Sequence, residues 1–152
     1  MALDRIERQI LSLLQEQGRM SNVELAERIG LSESPCFRRV KRLERDGVIA
    51  RYSAVVDQRT LGLSVTAFVL VNMDKQPDVT TDDFLARVVD EPHIVECHAM
   101  SGSHDYIMKV LARDIDHFSE LVMQGILKYP GVRHVESSFS LGEVKHFQAL
   151  PT

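Results

Sequence analysis

The run 22–49, NVELAERIGLSESPCFRRVKRLERDGVI, constrains this chain more than any other stretch. It predicts a short helix, a tight turn at Gly30 and a second helix that stops at Gly47. Val23, Leu25, Ala26 and Ile29 give the first helix an apolar side. Ser32 suits the N-cap of the second, and Pro35 then falls in its first turn, where a missing N–H costs nothing. Asp46-Gly47 is a helix stop, because Gly47 is free to take a positive φ.

The second helix divides into two faces. At 100° per residue, Cys36, Val40 and Leu43 share one stripe. Ser34, Arg38, Lys41, Arg42 and Arg45 lie opposite. Between Arg38 and Arg45 the chain places five basic residues and one acid, Glu44. A charge run alone is ordinary solvated surface. Preceded by a helix and a glycine turn, it has the spacing of a helix-turn-helix whose second helix enters a major groove. Phosphates then compensate the charge, and arginine forks read base edges. The candidate DNA-contacting set is Ser34, Phe37, Arg38, Lys41, Arg42 and Arg45. Arg38, nearer the helix N-terminus, is expected to meet bases, and Arg42 phosphates.

This stretch, LSESPCFRRVKRLERDGVI above all, resembles the helix-turn-helix of the Lrp/AsnC (leucine-responsive, or feast/famine) regulators, and the likeness extends over nearly the whole chain.

The net charge of −4 looks wrong for a DNA binder until it is divided: residues 1–60 carry +2 and residues 61–152 carry −6. The acidic remainder would suppress loose binding and sharpen dependence on a specific site. With 44% hydrophobic and 26% charged residues, the composition is that of a soluble globular protein. The start, MALDRIER, has no apolar core of a secretory signal, and the longest aliphatic or aromatic run, 67–71, is too short to span a bilayer. Two cysteines, Cys36 and Cys97, make no disulfide framework. A reducing cytoplasm is therefore expected, with no membrane association.

In chain order, residues 3–17 read as a first helix with Ile6, Ile10, Leu13 and Leu14 inward, ended by Gly18. Ser21 to Glu24 reads as a capping box. Residues 48–56, VIARYSAVV, read as a short two-stranded wing with Arg51 and Tyr52 near its tip, and 57–62 as a linker. The expected division is a winged helix-turn-helix domain over 1–56, the linker, and a second domain over 63–152.

From Ser64 the pattern changes. Strands are expected over 65–73, 94–100, 105–112 and 132–141, with helices over 80–90 and 114–127. Asp82 and Asp83 would sit in the first turn of the former. In the second strand Val95, Cys97 and Ala99 would share one face and Glu96 and His98 the other. Residues 101–104 form a hairpin turn. The order βαββαβ is the ferredoxin-like arrangement, so the fold class is α+β. The first and third strands are apolar on both faces, as central strands should be, while both helices cover only one face. The other face needs a second sheet, which implies a homodimer.

This half resembles the ligand-sensing domain of the same family through VECHAMSGSHDYIMKVLARD (95–114) and the chain's end. The resemblance implies dimers assembling into tetramers or octamers, and an amino-acid effector bound between dimers near the loop after the second strand. Gly102, Asp105 and Tyr106 match the family's G-x-x-D-Y pattern. The candidate effector set is Met100, Gly102, Ser103, His104, Asp105, Tyr106, Ser137, Ser138 and Phe139. Asp105 suits an ammonium group, backbone N–H groups a carboxylate, and Met100 and Phe139 an apolar side chain such as that of leucine or methionine. Ser137 and Ser138 enter by resemblance, and polar edge-strand residues need no such role.

No tetrahedral ligand set emerges from the histidines, and Cys97 and His98 alternate across a strand, so neither metal nor cofactor is expected. No nucleophile elbow, P-loop or carboxylate pair suggests catalysis. Two other classes share features with this chain. Sirohaem decarboxylases resemble its two-domain architecture but have little need for a basic third helix. An architectural DNA-compacting protein would lack an effector response.

Overall fold

The computed structural model describes residues 2–74, 78–146 and 149–152. It forms two compact units, Met1–Val55 with Val144–Thr152, and Val56–Glu143.

The first unit is built on three helices, α1 (Arg5–Glu16), α2 (Asn22–Ile29) and α3 (Glu33–Arg45). α1 starts two residues later than its apolar stripe suggests because Asp4 caps it. The Asp4 carboxylate accepts from the Glu7 N–H at 2.8 Å, and Glu7 accepts from the Asp4 N–H at 3.0 Å. This is a complete capping box. The one expected at Ser21 is half-made. Ser21 Oγ accepts from the Glu24 N–H at 3.2 Å, but the Glu24 carboxylate pairs with Arg28 at 3.1 Å instead of reaching back. Ser32 stands at the N-cap of α3 without a side-chain cap bond. Gly30 and Gly47 take φ of 70° and 73°, as their turns require. Ile10, Leu25, Ala26, Cys36 and Leu43 form the buried centre. Burial there raises the Cys36 thiol pKa, which marks it as a packing residue. Gln15 on α1 holds the chain's end, donating to the Leu150 carbonyl at 3.2 Å and accepting from its N–H at 2.7 Å.

Within the single chain no strand pairing is present over 48–56, where a two-stranded wing was expected. The Val48 and Ile49 N–H groups both turn back to the Leu43 carbonyl, at 2.9 and 3.0 Å, and close α3 instead of pairing with a strand. Tyr52 also folds back, donating to Glu44 at 3.1 Å. Val55 is wholly exposed. Its β-rich surroundings have no ladder partner among the described residues.

The second unit runs β1 (Val65–Met73), α4 (Asp78–Asp90), β2 (Ile94–Ala99), β3 (Tyr106–Ala112), α5 (Ile115–Glu120) and β4 (Val132–Phe139). The antiparallel sheet has the order β2-β3-β1-β4, the ferredoxin-like arrangement with β1 and β3 central. Ala67, Val69, Val71, Met108 and Val110 pack with Phe84, Phe118, Val122 and Ile126 beneath the helices.

Three local expectations are corrected. α4 begins at Asp78, so Asp82 and Asp83 fall in its second turn. A register shift between Ile94 and Glu96 turns Ile94 toward the core and leaves Val95 outside, breaking the strict alternation read for β2. The second long helix is α only to Glu120. It continues as a π turn, Leu121–Gly125, and a 3-10 turn, Ile126–Lys128. Phe118, Val122 and Ile126 recur every four residues, and a wide turn keeps that spacing on one face.

Candidate nucleic-acid interface and effector turn

The outward face of α3 carries Ser34, Phe37, Arg38, Lys41 and Arg45, all exposed, while Cys36 and Leu43 anchor the opposite side. Arg38 has no ion pair or side-chain hydrogen bond among the described residues. Lys41 pairs with Glu44 at 2.7 Å and lies 5.7 Å above the Phe37 ring. That hydrogen bond holds the Glu44 carboxyl below its ordinary pKa, so Glu44 stays ionised beside the face. Arg45 pairs with its neighbour Asp46 at 2.9 Å.

Arg42 is exposed as well but is engaged within its own unit. It forms an ion pair with Glu7, a residue only 1% exposed, while its own side chain is 44% exposed. Beside it, Arg39 pairs with Asp4. Both carboxylates of the α1 capping box thus grip α3. On the helical wheel Arg39 and Arg42 are the basic residues turned furthest toward α1, so they clasp the two helices together. The wheel places Arg42 outward, where it is exposed, but takes no account of the ion pair it makes with the neighbouring helix. A signal for the clasp did exist. Glu7 stands on the buried stripe of α1, one turn before Leu11, and a carboxylate there demands a partner.

The turn between β2 and β3 closes through the Met100 N–H, which donates to the Asp105 carbonyl at 2.8 Å. Gly102 has φ 144°, and a Cβ there would meet nothing within 4 Å. Asp105 pins the turn to β1. Its N–H donates to the Val71 carbonyl at 2.9 Å, and its carboxylate accepts from the Met73 N–H at 2.7 Å. Asn72 completes the join, donating to the Ser103 carbonyl at 2.6 Å and accepting from His104 Nδ1 at 3.0 Å. His104 Nε2 then lies 3.9 Å from the Glu136 carboxylate on β4. Asn72, Met73 and Glu136 were not among the expected site residues. Asn72 was visible as the one strongly polar side chain in VTAFVLVNM.

The expected effector residues therefore divide. Met100, Gly102, Ser103, His104 and Asp105 gather at one end of the sheet. Tyr106 turns under α4, where its ring lies 4.8 Å from Phe84. Ser137 is paired with Val69 and shares the helix-covered face, while Ser138 is paired with Phe68 on the open face. Phe139 pairs with Ala67 and packs against Phe118 at 4.9 Å. It lies four residues along the sheet from the Val71–Tyr106 end, about 13 Å at strand rise. Within one subunit the turn reaches β4 at Glu136, while Phe139 lies further along the strand.

A helix-turn-helix with a cationic outer face, joined to a ferredoxin-like domain, defines a class of DNA-binding proteins with a regulatory domain. Residues 3–50 match the winged helix-turn-helix DNA-binding family, and residues 66–150 match the Lrp/AsnC ligand binding domain. The leucine-responsive regulatory protein of Salmonella typhimurium is 39% identical over 97% of this chain and 90% of its own length. The transcriptional regulator AzlB of Bacillus subtilis is 33% identical over 98% and 95%. A transcriptional regulator of Neisseria meningitidis, solved in complex with L-methionine, superposes with a TM-score of 0.95 at 40% identity, covering 99% of this chain and 97% of that one. This chain belongs to the Lrp/AsnC family of transcriptional regulators.

Proposed function

We propose that this protein binds specific duplex DNA through the outer face of α3 and changes its activity on binding a small apolar amino acid, with leucine and methionine the first candidates. The observation that carries the DNA reading is the division of the α3 cations. Arg39 and Arg42 are spent on the fold, and Arg38, Lys41, Arg45 and Ser34 face outward. Arg38 has the free fork that bidentate guanine recognition uses. The related regulator crystallised with L-methionine supports the ligand class. The chemistry at the turn supports it too: one carboxylate for an ammonium, an open glycine for close approach, and Met100 as an adaptable wall.

The chain acts as a homodimer joined through open sheet faces. Phe68, Leu70, Ile107 and Leu111 alternate with the core-facing residues of β1 and β3, and none of them joins the helix-covered core among the described residues. Effector sites lie between dimers, in tetramers or octamers, so the turn of one copy meets β4 residues of another. Its place is the cytoplasm, and it is not an enzyme. No helix among the described residues is long and apolar enough to cross a membrane.

A thermal-shift screen of the twenty amino acids tests the sensing role, because a ligand held only by the native state raises apparent stability. Leucine or methionine should shift the transition. If only lysine or glutamate does so, the apolar pocket is wrong. Footprinting with and without the active amino acid tests the regulatory link.

A further inference from the structure

On the reading that α3 enters DNA, we infer that Phe37 is a specificity-determining residue that selects thymine by its C5-methyl group. Phe37 is 51% exposed on a helix whose core side is filled by Cys36 and Leu43. It stands at the flank of the outward stripe away from Arg42, next to Arg38 and one turn from Lys41. Its one described partner is the Lys41 ammonium, which Glu44 anchors at 2.7 Å and which lies 5.7 Å from the ring centroid. The ring is therefore steadied from one side and open on the other.

An apolar knob amid cations offers neither charge nor hydrogen bond to a phosphate or to a polar base edge. The major groove presents one apolar group that it can bury, the thymine methyl. Arg38, the adjacent residue, carries the fork for a guanine. The helix therefore pairs one hydrogen-bonding reader with one methyl reader, and sites bound tightly should place thymine within reach of the guanine contacted by Arg38.

The test uses the full chain. Duplexes enriched from a random pool are rescanned with each thymine replaced in turn by deoxyuridine, which lacks only the methyl. The wild type should show at least one position where uracil weakens binding about fourfold, the effect of one buried methyl. Phe37→Ala should lose that penalty and keep the rest of the profile. Phe37→Leu, which keeps an apolar side chain, should retain part of it and serves if the alanine variant binds too weakly to scan. Identical uracil profiles for wild type and variants overturn the inference, as does a wild type insensitive at every thymine. A variant that sediments differently while its profile is unchanged assigns Phe37 to a protein contact and also overturns it. If no duplex is enriched by the wild type, the DNA-regulator reading itself fails, which is a distinct result.

Discussion

The two candidate sites of this molecule are built on opposite principles. The DNA-facing set lies within a single helix, so residue spacing alone decides which side chains share a face, and neighbours three and four apart meet directly. The effector set lies across two strands and a turn. There, a shift of one residue moves a side chain to the other face, and pairing register decides who meets whom. Ser137 and Ser138 look equivalent in sequence and stand on opposite faces. Ser34 and Arg38 are four residues apart and stand together. A site carried by one helix can be assigned from one chain. A site carried by a sheet is completed by register and, in the arrangement proposed here, by a second copy.

The sharpest way to break this comparison is to remove the second copy. Phe68→Glu puts a carboxylate in the middle of the open sheet face and should abolish dimerisation, reducing the sedimenting species to a monomer and eliminating the amino-acid thermal shift. A monomer that still binds effector normally would show that one subunit holds a complete pocket.

Next in size is the clasp. Glu7→Ala removes the reciprocal cap bond and the partner of Arg42, and should cost about 2 kcal/mol of stability in urea unfolding followed by helical circular dichroism. A loss below a few tenths would mean that the Asp4–Arg39 pair suffices.

At the turn, Asp105→Asn separates two roles. The amide oxygen can still accept from the Met73 N–H, so the fold is kept, but the charge that meets an ammonium is gone. Effector affinity should fall roughly tenfold, in line with the worth of a hydrogen bond to a charged group. Calorimetry showing unchanged affinity would leave Asp105 with a structural role only.

The smallest effect is expected at Glu44. Its pKa is depressed by Lys41, so the pair contributes above the unfolded carboxylate range and is lost as pH falls through the folded value. Glu44→Gln mimics the acid form at neutral pH. It should release Lys41, tighten DNA binding by a few tenths of a kcal/mol, as expected for an exposed pair, and steepen its salt dependence. Unaltered salt dependence would show that Lys41 reaches phosphate despite Glu44.

Much of the fold was legible because its signals are local. Helix periodicity, the glycines at 30 and 47, and the βαββαβ order with two-faced central strands needed no tertiary knowledge. What escaped was settled by partners distant in sequence. Arg42 is outward by spacing, but its ion pair with Glu7, thirty-five residues earlier, leaves no mark in that spacing. Residues 48–56 have strand composition, yet strand composition needs a ladder. The Leu43 carbonyl captures the first two N–H groups before one can start. Val95 is displaced by a bulge and Gly125 sits in a π turn, and neither irregularity leaves a mark in a simple period. Asp105 was legible as a carboxylate at a turn, but its bond to the Met73 N–H depends on the pairing of β1 with β3.

The central claim is that α3 presents one set of cations to DNA and gives another to the fold. It is tested most directly by the salt dependence of binding to one enriched duplex, measured for wild type, Arg38→Ala and Arg42→Ala. Arg38→Ala should weaken binding by about 1–3 kcal/mol and relax choice at one base pair, with little effect on unfolding. Arg42→Ala should lower stability while leaving the slope of log K against log salt at the wild-type value. A slope reduced by about one in Arg42→Ala, with stability unchanged, would place Arg42 on a phosphate and contradict the division.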